Sequence, residues 1–123
     1  MGHFIGLDAH QKRCHVVLGP TVNMQRDPRA GRYFESYSED PHHTGQLGCA
    51  WIAGAQNSVA GMAATMKHFV GNEAETDRRN SSSNMSMETL REVYLEPFRE
   101  IMAGLVRQGH RPFGGQPACV MTA

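Results

Sequence analysis

Charge of one sign, long apolar runs, pairable cysteines and metal-binding spacings are all missing from this chain, and each absence bears on function. Lysine plus arginine number 12 and aspartate plus glutamate number 12. A balanced surface gives no general electrostatic pull toward nucleic acid or an anionic membrane. No apolar run approaches the ~20 residues that span a bilayer. The opening MGHFIGLDAHQKR lacks the apolar core of a secretory leader. Cys14, Cys49 and Cys119 are far apart and odd in number, so they read as small core residues rather than a disulfide framework. Seven histidines are present, but only His42 and His43 are adjacent, and neither His-Glu-x-x-His nor Cys-x-x-Cys occurs. No metal and no cofactor are therefore expected. At 123 residues there is room for one domain of ordinary size.

What the chain does contain is an alternation of apolar runs and helical patterns. The central stretch is MAATMKHFVGNEAETDRR, residues 62–79. A short apolar run passes abruptly into a polar, glycine-containing loop, which is the pattern of a buried parallel strand. Lys67 and His68 stand at its exit. The exit rim of a parallel sheet is where ligands bind in barrel and doubly wound folds; the alternative is a pair of ordinary loop residues.

Upstream, residues 1–13 read as a helix with a weak apolar face of Phe4, Ile5 and Ala9 and no capping residue before it. Residues 14–19, CHVVLG, read as a short buried strand ending in the Gly19-Pro20 turn. A long polar segment follows to Pro41, with Arg26, Arg29, Arg32, Glu35 and three aromatics. A structureless segment of that length is uncommon in a compact domain unless it is functional. Arginine forks and ring faces suit polyhydroxylated ligands, while a solvated loop held by its own ion pairs is the simpler alternative.

Asp40 is a plausible N-cap and Pro41 suits the first helical position. The helix they open carries Leu47, Ala50, Trp51, Gly54 and Ala55 at helical spacing and should end near Asn57. Trp51, the only tryptophan, is expected to anchor the core. A third helix is predicted from an N-cap at Ser86 through Leu105, kinked at Pro97. Met85, Met87 and Met102 are expected to pack on it. Gly109 to Gly115 is rich in turn residues, and residues 118–122 of PACVMTA form a last apolar run. Asn80 and Asn84 open glycosylation sequons, which matter only in a secreted protein.

The fold class is therefore α/β. Three parallel strands near 14–19, 62–69 and 118–122 alternate with helices, joined by right-handed crossovers. Three such strands leave two bare edges. A partial (β/α)8 TIM-type barrel accounts for the repeat and for a chain that starts and stops inside elements.

The motifs also resemble those of glycoside hydrolase family 3, in particular the N-terminal domain of its fungal-type β-glucosidases. LGPTVNMQRDPRAGRYFESYSEDP (18–41) is similar to the family's strand, Asn and Arg, Gly-Arg-x-x-Glu and Ser-x-Asp-Pro series. KHFVGNEAE (67–75), LREVYLEPF (90–98) and ACVMTA (118–123) match three further motifs in order. The resemblance implies that residues 1–123 are a piece of that barrel domain, truncated at both ends and needing the rest of the parent barrel. It implies a retaining β-glucosidase acting on a β-glucoside or cello-oligosaccharide, with Arg32, Lys67 and His68 binding the glucose and Glu73, Glu75 and Arg78 in the site loop. Family members are often secreted.

Two positions depart from the family pattern: Ala74 where Gln is frequent, and Tyr33 where Gly or Asn is common. The family's Ser-Asp-Trp nucleophile motif, its acid/base and its upstream sugar-binding Asp-Gly-Pro motif are absent from these residues. None of the carboxylates present inherits the catalytic role. A remnant without activity of its own is accordingly the alternative to a working subsite.

Overall fold

In the computed structural model, which describes residues 1–104, 107–108, 111–112 and 115–123, the strand pairing follows the expected parallel order. Strand β1 (Val16–Val17) pairs with β2 (Ala63–Phe69), and β2 pairs on its other side with β5 (Cys119–Thr122). Both pairings are parallel, with Val17 opposite Ala64 and Met66 opposite Val120. The β1 ladder continues beyond its formal end. Thr65, Lys67 and Val22 use their N–H groups to reach Gly19, Pro20 and Lys67 carbonyls respectively, at 2.8–3.0 Å. That continuation carries residues 19–23 alongside β2 as far as Lys67 and His68.

Side chains alternate across β2, as any strand requires. Ala64 and Met66 join the core with Val22, Trp51, Ile52, Phe98 and Ile101. Helix α2 (Pro41–Gln56) lies over this face. Its start is as the sequence predicts: the Asp40 side chain accepts the His43 N–H at 3.0 Å, and Pro41 takes the first turn. Trp51 is buried, as expected.

Helix α1 (Gly2–Gln11) forms, and of its expected face Ile5 packs against the core while Ala9 is half-buried. Phe4 is exposed, and the buried residues are Gly2 and Gly6. A Cβ at Gly2 would lie 2.1 Å from the Trp51 carbonyl oxygen, and one on Gly54 would lie 2.9 Å from His3 N. The two helices meet backbone to backbone, which hydrophobic periodicity cannot register because the contact residues have no side chains.

The expected kinked helix 86–105 is instead broken into pieces. Ser86 caps α3 (Met87–Thr89) as predicted, a wide turn of Leu90–Tyr94 follows, and α4 (Glu96–Met102) begins anew. Leu95 donates to the Leu90 carbonyl, five residues back, at 2.8 Å. Proline has no N–H to extend the preceding helix, so the chain restarts with Pro97 in a first turn, where no donor is needed. The predicted end of the helix at Leu105 lies outside the described residues, as do 109, 110, 113 and 114 of the glycine-rich connection. Just before and within that connection, β3 (Arg107–Gln108) and β4 (Arg111–Pro112) pair antiparallel.

Three burial expectations fail. Cys49 is buried, but Cys14 and Cys119 are exposed. Met87 and Met102 are exposed rather than packed, and β1 and β5 are not buried strands, since Val16, Leu18 and Val120 are all open. The sheet residues among these lie at or beyond the outer strands β1 and β5, with which no further described strand pairs, whereas Met87 and Met102 lie on exposed positions of α3 and α4.

One interhelical contact is pH-sensitive. Buried Glu100 on α4 meets His42 on α2, with Nδ1 to Oε1 at 2.5 Å. The hydrogen bond to Glu100 and its charge raise the His42 pKa, with smaller contributions from Asp40 and Glu96. A raised histidine pKa adds stability that is complete below its unfolded value near 6.5 and lost as pH rises through the folded value. The urea midpoint should therefore decline as pH rises past 6.5, and His42→Gln should flatten that decline. An unchanged slope in the variant would show that the pair contributes nothing.

Candidate functional site

The exit of β2 turns a sheet into a site because two chain segments run out side by side there. Gly31 turns the first segment with φ +88°, a conformation that favours glycine. A Cβ on Gly31 would also sit 3.0 Å from that of Glu75. This close approach lets Glu75 N donate to the Ala30 carbonyl at 3.1 Å, tying the long loop to the loop after β2. The long segment is thus not structureless; it holds a short helical turn, Tyr33–Glu35, immediately after Arg32.

That turn delivers Glu35 into the centre of the site. Its Oε1 receives Arg32 Nε at 2.5 Å, and its Oε2 receives Thr21 Oγ1 at 2.8 Å and Lys67 Nζ at 3.0 Å. Lys67 is only 7% exposed. Burial pushes the Glu35 carboxyl upward, but the hydrogen bonds from Arg32, Thr21 and Lys67 together outweigh it and hold the pKa at about 2. Arg32 also reaches Glu75 Oε1 at 3.4 Å, and Glu75 is held in turn by Asn72 at 3.2 Å and Arg78 at 2.9 Å.

His68 follows Lys67 at the exit of β2 and is likewise buried. Burial first, then the charges of Arg32 and Lys67, lower its pKa, so it is neutral at neutral pH. It contacts Asn23 through backbone N at 2.9 Å and ring Nδ1 at 3.0 Å. Glu73 accepts from Met24 N at 3.3 Å and Asn23 Nδ2 at 3.4 Å. Burial raises the Glu73 pKa against those bonds.

Arg32, His68, Glu73 and Glu75 all line one cleft together with Thr21, Asn23, Tyr33 and Asn72. Lys67 stands behind that lining, joined to Arg32 through the shared carboxylate of Glu35. Arg78 lies outside, more than half exposed, bracing Glu75. Tyr33 also lines the cleft, at the position where the family pattern has a smaller residue. Among the described residues no cluster of three His, Cys, Asp or Glu could hold a metal, and no helix is long and apolar enough to cross a membrane.

The sequence did not single out Glu35, Thr21 or Asn23 as site residues. Glu35 had one local signal, its place three residues after Arg32, which is ion-pair spacing on a helical turn. Asn23 had none, since its partners His68 and Glu73 are 45 and 50 residues away.

Residues 1–110 match the model of the glycosyl hydrolase family 3 N-terminal domain. The chain belongs to that family. Its glycosyl hydrolase relatives include a β-glucosidase of Kluyveromyces marxianus, 43% identical over 122 residues, and one of Rhizobium radiobacter, 48% identical over 99 residues. These alignments take in 99% and 80% of this chain but only 13% and 12% of those proteins. The fold agrees with solved members of the family. The K. marxianus β-glucosidase in complex with glucose superposes with a TM-score of 0.85 at 42% identity, covering 98% of this chain and 13% of that one. β-Glucosidase 3B of Thermotoga neapolitana, also in complex with glucose, gives 0.83 at 33%, covering 98% and 15%. The three parallel strands with their helices are thus part of the family's TIM-type barrel.

Proposed function

We propose that this segment forms the glucose-binding part of the active site of a retaining β-glucosidase. The whole enzyme would release terminal non-reducing β-D-glucosyl residues from β-glucosides or cello-oligosaccharides. Residues 1–123 make up part of its barrel. Arg32 offers a rigid fork and Lys67 a compact ammonium, both suited to sugar hydroxyls. Held around one ring with His68, they would fix its orientation for attack at the anomeric carbon.

The observation that supports this reading most is the meeting of Arg32 and Lys67 on one carboxylate. They come from two different strand exits, and Glu35 draws them to within hydrogen-bond distance of the same group. Retention requires two catalytic carboxyl groups about 5 Å apart, one as nucleophile and one as acid/base. Here Glu35 and Glu75 are held by cations and Glu73 by amide donors. The segment by itself therefore binds and orients, and hydrolysis needs carboxylates from elsewhere in the enzyme.

The test is to exchange the matching segment of the K. marxianus β-glucosidase for residues 1–123. The chimera should hydrolyse an aryl β-glucoside within about tenfold of its parent, the allowance of ~1.4 kcal/mol for imperfect joins. The separate 123-residue chain should hydrolyse none. A folded but inactive chimera would sink the reading, and mutation-sensitive hydrolysis by the separate chain would overturn the assignment of chemistry elsewhere.

A further inference from the structure

We propose that Asn23, steadied by Glu73, locks His68 as its Nδ1–H tautomer, so that Nε2 faces the cleft as a hydrogen-bond acceptor for a sugar hydroxyl. The proposal deepens the sugar-binding reading above and rests on it for the identity of the ligand.

The orientation of the Asn23 amide settles the proton. Its oxygen must be the atom facing His68 N, because a backbone N–H can only donate. Its nitrogen must be the atom facing the His68 carbonyl at 3.1 Å and the Glu73 carboxylate, both acceptors. Three contacts of fixed polarity therefore agree on one amide orientation. The same Asn23 oxygen lies 3.0 Å from His68 Nδ1. An oxygen acceptor there requires a proton on Nδ1.

A neutral ring carries one N–H, so Nε2 keeps its lone pair. Nε2 has no hydrogen-bond partner among the described residues, and it is not among the side-chain atoms sealed away without one. His68 lines the cleft with Arg32, so the open atom is presented there. The cleft then offers a guanidinium donor and an imidazole acceptor together. A hydroxyl can donate to Nε2 while accepting from Arg32; a fluorine or a carbonyl oxygen at that position can only accept. Asn23 and Glu73 act through His68 and are positioning residues.

The experiment is two-bond proton–nitrogen correlation NMR of the 123-residue chain carrying ¹⁵N-histidine, with Asn23→Asp as the comparison. At pH 7, His68 should show a protonated Nδ1 and a bare Nε2. The Nε2–H tautomer, or a doubly protonated ring, would overturn the proposal. In Asn23→Asp, a carboxylate replaces the amide beside Nδ1, so the His68 titration midpoint should rise by about 1–3 units. A midpoint that stays put in the folded variant also overturns it.

Adding D-glucose should move the Nε2 resonance while Nδ1 keeps its proton. Transfer of the proton to Nε2 on adding glucose would overturn the acceptor role. The expected tautomer and midpoint shift, with no glucose response and a folded but inactive chimera, would support Asn23 as the tautomer-setting residue and count against the sugar-binding reading instead.

Discussion

Replacing Lys67 with alanine in the chimera is expected to lower kcat/KM for an aryl β-glucoside by at least about 100-fold, or ~2.7 kcal/mol. Two effects combine. The first is loss of the charged hydrogen-bond donor that the proposed reading assigns to the sugar, worth about 1.5–3 kcal/mol. The second is a change in the remaining partners. Glu35 Oε2 holds Lys67 at 3.0 Å and Thr21 at 2.8 Å, while its Oε1 holds Arg32 at 2.5 Å. Without the ammonium, the carboxylate has one cation left, and Arg32 becomes its sole counter-charge rather than a donor free to grip substrate. Misplacement of a substrate-orienting group by 1 Å costs about 100-fold by itself. Lys67→Arg should not rescue activity, because a buried site for a compact ammonium does not admit a planar fork. Steady-state kinetics on both variants make the test. Hydrolysis within a few-fold of the parent chimera would remove Lys67 from the site.

How much of this was legible beforehand depends on how far apart the interacting residues lie in the chain. The strand at 62–69, its basic exit and the Asp40-Pro41 helix start could be read directly, because each is a local pattern with a local cause. The joining of Arg32 to Lys67 was not readable from composition or spacing; it entered through the family motifs, and the sheet register explains it. Glu35 was visible as a residue but not as a hub, since nothing in the sequence says that a 3-residue helical turn will aim it at a strand exit 32 residues later. Asn23 shows the limit more sharply, as its partners become neighbours only when the β1 ladder runs on past Val17. The burial errors have a different origin. Hydrophobicity says which residues gain from being covered, not whether a covering element exists. Cys14, Cys119, Val16 and Val120 all lie where the three-stranded sheet ends. The α1–α2 contact is the converse case: Ile5 was legible as an apolar contact, but the close approach at Gly2, Gly6 and Gly54 carries no hydrophobic signal.

Glu35→Ala should be the most destabilising change in the site, costing about 3 kcal/mol as read from the urea midpoint. The variant leaves the Lys67 side chain, 9% exposed, with its nearest anion gone. Stranding a buried charge costs about 3–5 kcal/mol, and the lower end applies because Glu35 is itself 23% exposed and water reaches the gap. An exposed ion pair would be worth less than ~1 kcal/mol, so a loss that small would show the carboxylate to be peripheral. The pH dependence supplies an independent check. Glu35 is held at about 2 in the fold, against 4.5 for an ordinary glutamate. A depressed carboxylate pKa gives stability that is complete above the unfolded value and lost as pH falls through the folded one. The gap between the native chain and Glu35→Ala should thus be full at pH 5 and above and shrink between 4.5 and about 2. Asp27 is also held at about 2, by hydrogen bonds from Arg29, but it is present in both chains and cancels from the difference. A gap that stays constant across that window would mean that Glu35 stabilises the site by packing and not by charge, and Lys67 and Arg32 would then need another reason to meet.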